Sequence, residues 1–418
     1  MIVTPIEQCR LCGNHHLLSV CDLGVMAFTG IFPQAATEVV PDGPLELVQC
    51  HGEGASACGL VQLRHTFDPH VLFGRSYGYR SGLNPSMTAH LQEVALKVKS
   101  LVVLKPGDLV VDIGSNDGTL LQFFSRQAFG LVGIDPTAAD FTRYYPADAR
   151  IISDFFSADL FRNMFNTRKA KVISSIAVFY DVADPLEFLN QACAILSDDG
   201  ILVLEQSYWP QMLRNNIYDT VCHEHVGYYG ARQIQWLADR VGLKVVHAEL
   251  NSINGGSLCV ILAKQDAPFT PTDDMFNRLV NEEQQILANV LTVNQNFREH
   301  VVRHRDVVRQ RIREFRTQGL SVAGYGASTK GNVLLQFCGF TTEDISFIAE
   351  INENKWGKFC PGTQIPIISE EEAMVRRPDV LLVLPWHWKE PLLVKERSYL
   401  HQGGAMFFPW PEMHLVRG

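Results

Sequence analysis

Residues 109–121, LVVDIGSNDGTLL, constrain the chain more than any other stretch. An apolar run from Leu109 to Val111 reaches the acid Asp112. A loop bracketed by Gly114 and Gly118 follows, and then an apolar pattern of helical type. This is a strand, a tight turn and a helix opening, the order in which α/β folds build ligand sites at the carboxyl end of a strand. Gly114 lets a ligand approach the backbone, and the first turn of a helix offers unpaired N–H groups. The loop is no Walker A, because no Gly-Lys-Ser/Thr follows, and its G-x-x-x-G spacing is not the dinucleotide fingerprint. An acidic loop suits a ligand with an ammonium or sulfonium centre better than a pyrophosphate. S-adenosylmethionine (SAM) is the cofactor this reading expects.

A chain of 418 residues is long enough for two or three domains with large cores. Its 46% hydrophobic and 19% charged residues are those of an ordinary globular protein, and a net charge of −9 argues against a nucleic-acid partner. The opening residues, MIVTPIEQCRLCG, lack a basic segment followed by an apolar core, so no signal peptide is expected. No run of about 20 apolar residues suggests a membrane span. Ten cysteines in such a chain point to a reducing, cytoplasmic setting, where clustered thiols bind metal in preference to forming disulfides.

Three segments emerge. In residues 1–75, Cys9-Arg-Leu-Cys12-Gly13 reads as a zinc-knuckle turn, with Cys50 and Cys58 as the second pair. Seven residues, HGEGASA, separate that second pair where two or three are usual, so His51 is an alternative ligand to Cys50. Four protein ligands leave no open position, so the expected metal is structural. Residues 76–265 alternate strands (109–112, 131–135, 172–176, 201–205) with helices (86–104, 120–127, 185–195), the rhythm of a doubly wound parallel sheet. Asp135 ends the second strand, where such folds place an acid for ribose hydroxyls. After the turn-rich linker 264–274 comes a charged helical stretch, 273–318, opening the third segment, 266–418. There a strand at 320–323, the loop Gly324-Tyr-Gly-Ala-Ser-Thr-Lys330-Gly331 and a helix at 332–337 repeat the strand–turn–helix order. Strands at 345–348 and 380–384 suggest a smaller Rossmann-like sheet. Ser328, Thr329 and Lys330 at a helix opening suit a phosphate.

Between the two glycine turns lies the densest cluster of titratable side chains, from Tyr218 through Cys222, His223, Glu224 and His225 to Tyr228 and Tyr229. A metal site and a polar structural loop both compete with general acid–base work, for which an imidazole is suited. Tyr77-Gly-Tyr79-Arg80 marks a join between segments, where clefts form, or else aromatics that bridge domains. Asn254-Gly-Gly-Ser257 is a turn able to present polar groups to a polyhydroxylated ligand.

The ordered set of CxxC, VDIGSNDGTLL, VFYDVADP, EQSYWP, YDTVCHEHVGYY, NGGSL and GYGASTKGN resembles the nucleotide-sugar C-methyltransferases of deoxysugar biosynthesis, over nearly the whole chain. The resemblance implies an α/β fold in three parts: an amino-terminal zinc-binding domain, a central class I SAM-binding Rossmann-like domain and a smaller carboxyl-terminal Rossmann-like domain that helps hold the nucleotide sugar. The implied activity is methylation at C3 of a dTDP-linked 4-keto-6-deoxy sugar, with GDP- or CDP-sugars as alternatives. By resemblance His225 is the base with Glu224 beside it, and Tyr77 or Tyr79 lies near the sugar. Asp112, Gly114, Asn116, Gly118, Asp135 and Asp154 form the implied SAM set. The implied sugar-nucleotide set is His223, Tyr228, Asn254, Ser257, Tyr325, Ser328, Thr329, Lys330 and Lys358. Members of the family often carry a histidine near Asp181, so the sequence departs here and implies a different sugar pocket. Rival readings are a nicotinamide oxidoreductase using the GYGAS loop, an RNA methyltransferase, and a zinc-ribbon binding protein on a methyltransferase scaffold. Oligomeric state is left open by the sequence, and a monomer is compatible with it.

Overall fold

The computed structural model describes residues 2–52, 57–74, 77–125, 129–270 and 274–418. The expected joint at 75/76, the helix end at Gln127, the helix start at Asp273 and the middle of the Cys50–Cys58 insert lie outside the described residues.

The amino-terminal lobe is an antiparallel sheet of Leu17–Ala27, Asp42–Cys50 and Val61–Leu63. Its fourth strand comes from far along the chain: Gly227–Tyr228 pairs antiparallel with Val61–Leu63, and the Leu63 N–H donates to the Val226 carbonyl at 3.0 Å. Arg10 ties the knuckle to this sheet. Its guanidinium donates to the Leu63 and His65 carbonyls and to the Thr66 hydroxyl.

The central sheet has seven strands in the order Leu243–Asn251, Ser257–Lys264, Leu196–Ser207, Ala170–Ile176, Leu109–Ile113, Gly130–Ile134, Arg150–Ile152. The last five in that list are mutually parallel, while Ser257–Lys264 runs antiparallel to both of its neighbours. Leu109–Ile113 is buried along its whole length, as expected for a strand covered on both faces. The chain leaves it toward Gly130–Ile134 on one side and Ala170–Ile176 on the other. The Asp112–Gly118 loop therefore opens at a topological switch point. Helix ends follow local chemistry. Asn84 accepts from the Ser86 N–H to start Pro85–Leu101, and Asp184 accepts from the Glu187 N–H to start Pro185–Ile195, each with proline in the first turn.

The carboxyl-terminal sheet orders Ile367–Ser369, Ile348–Glu350, Val322–Tyr325, Val380–Val383, Ala405–Phe408 and His414–Arg417, parallel except for the last strand. Gly324 and Tyr325, expected in the loop, belong to the strand because parallel partners on both sides, Ile348–Ala349 and Leu382–Val383, extend the ladder. The long charged stretch is two helices, Asp274–Ala288 and Val290–Thr317, interrupted at Asn289. Arg298 of the second helix donates to the Ser19 and Val20 carbonyls, fastening it to the amino-terminal sheet. Among the described residues no helix is long and apolar enough to cross a membrane.

Candidate functional site

The four expected cysteines converge. Cys9 and Cys58 stand 3.5 Å apart at sulfur, as do Cys12 and Cys50, and all four sulfurs lie within 4.8 Å of one another. A tetrahedral zinc with Zn–S near 2.3 Å needs sulfurs roughly 3.8 Å apart, so the set fits. The Asn14 side-chain amide donates to the Cys50 sulfur at 3.4 Å, which favours a thiolate. Gly13 closes the knuckle at φ +72° with its N–H on the Cys9 carbonyl. His51 is exposed and outside the cluster; Cys50 takes the position for which it was the alternative.

At the switch point, Gly114 has φ +73°, and a Cβ there would sit 2.1 Å from Val178. Asp112 is buried with one oxygen accepting from the Ser174 hydroxyl at 2.7 Å, and burial pushes its carboxyl up to about 7. Asp135 accepts from the Asn116 N–H (2.9 Å) and from the Thr137 N–H and hydroxyl. The side chain of Asn116 bridges the Tyr79 carbonyl and the Ser81 N–H. Gly118 starts a single helical turn, Thr119–Gln122, whose first N–H is taken by Asp117, so fewer free donors face the crevice than expected. Asp117, unforeseen in the sequence, also accepts from Arg80 (3.1 Å) and the Gly82 N–H (3.0 Å). Arg80 in turn lies over the Tyr144 ring at 3.7 Å. With the Asp117 charge offset by Arg80, Asp112 and Asp135 are the acidic groups on the rim of this crevice able to hold a cationic cofactor.

The 218–229 cluster is buried between the lobes. His225 donates from Nδ1 to the Thr220 carbonyl at 2.9 Å, which leaves Nε2 with its lone pair and no partner among the described residues. Tyr228 donates its hydroxyl to the same carbonyl at 3.1 Å, and Tyr180 packs on the imidazole with ring centres 4.0 Å apart. Burial, reinforced by the Lys330 charge, pushes the His225 imidazole down to about 3. Glu224 is 3% exposed, and its Oε2 accepts from the Thr29 hydroxyl at 3.2 Å while Oε1 has no partner. Burial raises its carboxyl above the ordinary value.

From the carboxyl-terminal sheet, Ser328 caps the helix Thr329–Phe337 by accepting from the Gly331 N–H. Lys330 donates to the Asn254 carbonyl at 2.8 Å, and burial lowers its pKa while Asp219 and Cys222 pull the other way. Asp219 itself accepts from Trp386 at 2.8 Å. Glu350 accepts from the Ala327 N–H (2.6 Å) and the Asn352 N–H (2.8 Å), as Asp135 does from Asn116 and Thr137. The two glycine turns are therefore held by the same device. A cavity of about 350 Å³ between the sheets is lined by Tyr77, Tyr79, Arg143, Asn352, Lys355 and Lys358, among others.

Several sequence candidates are not brought together. His223 turns away: its Nε2 meets the Gly43 carbonyl at 3.2 Å, and its ring packs on Phe28 and Phe67. Tyr325 donates to Glu396 at 2.7 Å, on the far side of its strand's loop. Ser257 closes its own turn on the Ile253 carbonyl, and Asp154 is exposed with one oxygen on the Phe155 N–H. Tyr79, by contrast, lines the cavity beside Tyr77 although the residue is 42% exposed. Asp181 was marked in the sequence as a departure in the sugar pocket, whereas Thr29, Asp219, Asn332, Lys355 and Trp386 were not singled out there. Of these only Trp386-His387-Trp388 carried a signal, three ring residues directly past the end of a parallel strand.

Residues 9–73 match the family profile of a zinc binding domain, residues 87–248 that of a methyltransferase domain and residues 252–411 that of a C-methyltransferase C-terminal domain. C-methyltransferase NovU from Streptomyces niveus is 31% identical over 420 residues, spanning 99% of this chain and 98% of NovU. Among solved structures, an O-methyltransferase family protein from Burkholderia thailandensis is 18% identical with a TM-score of 0.34, covering 43% of this chain and 57% of that one. Magnesium protoporphyrin IX methyltransferase (ChlM) from Synechocystis PCC 6803, with SAM bound, is 12% identical with a TM-score of 0.31, covering 43% and 78%. The fold, the switch-point crevice and the four-cysteine centre define a SAM-dependent methyltransferase with a zinc-binding lobe. The chain belongs to the family of C-methyltransferases that includes NovU.

Proposed function

We propose that this C-methyltransferase acts on a dTDP-linked 4-keto-6-deoxy sugar, adding the methyl group at C3 beside the ketone. The observation that carries the reading is His225: Nδ1 is committed to Thr220, and Nε2 is bare in a buried, neutral imidazole. A carbon next to a ketone is acidic because the enolate places its charge on oxygen. Nε2 takes the C3 proton, and the growing imidazolium and enolate charges offset each other in the buried site. Lys330, held by the Asn254 carbonyl, is the cation available to the enolate oxygen. SAM supplies an electrophilic methyl on a sulfonium, and the acidic rim around Asp112 suits that charge. Arg143, Lys355 and Lys358 on the 350 Å³ cavity supply the positive charge that a diphosphate needs.

The test is incubation with methyl-¹³C-labelled SAM and dTDP-4-keto-6-deoxyglucose. Carbon NMR of the product is expected to show the label on C3. Label on oxygen overturns the mechanism, and label on C5, the other carbon flanking the ketone, overturns the position. GDP- and CDP-linked sugars run in parallel decide the nucleotide. The His225→Ala variant is expected to lose about 10²–10⁴-fold in turnover.

A further inference from the structure

We infer that Thr29 and Gly30, in the zinc-binding lobe, form a wall of the acceptor site, and that Thr29 is a positioning residue that aims Glu224. The inference rests on the proposed ketosugar reaction for its kinetic consequences, but its geometry stands apart from it. Thr29 is fully buried where three parts of the chain meet. Its hydroxyl donates to Glu224 Oε2 at 3.2 Å, and its carbonyl accepts from the Asn332 side-chain amide at 2.8 Å. Asn332 lies in the helix Thr329–Phe337 that follows the second glycine turn. At Gly30 a Cβ would fall 2.3 Å from Glu224 Oε1 and 3.6 Å from the Thr329 hydroxyl, so the carboxylate is seated against bare backbone. One residue on, Ile31 forms an antiparallel bridge with Tyr77. The strip 29–31 thus touches the loop that carries the base, the carboxyl-terminal helix and a tyrosine of the cleft. With Oε2 pinned by Thr29, the buried and unpartnered Oε1 is left to accept from a hydroxyl or ammonium group of the acceptor.

The titratable groups facing Glu224 are Cys222 and Tyr228 of its own segment, Asp181 from the turn Phe179–Asp181, and Tyr77. The Cys222 thiol and the backbone of Glu224 and Gly30 also favour the ionised carboxylate, and Thr29 is the one hydroxyl donor among these groups. The experiment compares Thr29→Val, which keeps the shape and removes the hydroxyl, with Thr29→Ser, which restores it. Thr29→Val is expected to lower kcat about tenfold with SAM affinity unchanged. The donor favours ionised Glu224, so its loss moves the acid limb of the pH–rate profile upward by about half to one pH unit. Thr29→Ser is expected to recover both. Infrared difference titration, with the Glu224 band assigned by Glu224→Gln, follows the same midpoint without turnover. An upward midpoint in Thr29→Val upholds the positioning role even if the ketosugar proves not to be the acceptor. An unmoved midpoint overturns that role, as does an equal kinetic loss in Thr29→Ser.

Discussion

At the scale of single residues, Asp112 and His225 are both buried, and burial acts on them in opposite senses. His225 is held neutral across the working range. Asp112, raised to about 7, is largely protonated below that pH until a cation arrives. SAM binding below pH 7 is therefore expected to expel a proton from Asp112, and the release fades about two units higher. Calorimetric titration in buffers of different ionisation heat measures it, and the Asp112→Asn variant is expected to show no such release. Equal release in the variant removes Asp112 from the cofactor site. The linkage has a stability counterpart. Because the folded carboxyl lies above its unfolded value of about 3.9, the stability it contributes is present at low pH and lost as pH rises through about 7. Without SAM, Asp112→Asn is accordingly expected to melt higher than the wild type at pH 8. Residues of this kind were legible in the sequence when they sat within a few positions of one another. Cys9 with Cys12, Asp112 with Gly114, and Glu224 with His225 are examples. Thr29 and Asn332 were not, because only tertiary packing brings them to the loop.

Among the elements, the strands 109–113 and 130–134 fall within a residue of their expected bounds, since a fully buried parallel strand announces itself as an unbroken apolar run. Gly227–Tyr228 offered no such signal. Two residues carry no periodicity, and what makes them a strand is the edge of Val61–Leu63 waiting for them. That edge begins three residues after Cys58, and the Gln233 side chain donates to the Cys58 carbonyl at 2.7 Å. The metal centre and the segment following His225 are thus consecutive parts of one sheet. Removal of zinc by a strong chelator is expected to abolish methyl transfer while SAM affinity changes less than about threefold. Hydrogen–deuterium exchange is expected to rise together in peptides covering 61–63 and 226–228. Retained protection at 226–228 in the zinc-free protein shows the coupling to be absent.

For the molecule as a whole, the order of segments along the chain is not the order of packing. One continuous core joins Val20, Leu45 and Leu63 of the amino-terminal sheet to Tyr218, to Phe297 and Ile312 of the long helix, and to Val322 and Leu382 of the carboxyl-terminal sheet. The zinc knuckle belongs elsewhere: Cys9, Leu11, Cys58 and Leu60 pack with Phe179, Tyr229 and Leu237 on one face of the central sheet. Sequence patterns tell that a face is apolar but not which distant surface covers it, so three segments were legible and their interlocking was not. Phe297→Ala, at the centre of the shared core, is expected to cost about 3–5 kcal/mol. Pulse proteolysis in a denaturant series is expected to show peptides from both terminal sheets becoming cleavable at the same concentration. A carboxyl-terminal fragment that survives alone contradicts a shared core. The borrowed strand also sets a timetable for synthesis. Val61–Leu63 leaves the ribosome long before Gly227–Tyr228 exists, and at ordinary elongation rates the delay is on the order of 10 s. During that interval the zinc lobe carries an open sheet edge, the kind of surface that recruits strands from other chains. Misassembly is expected to be most frequent in this window, and the residues that close it directly follow His225.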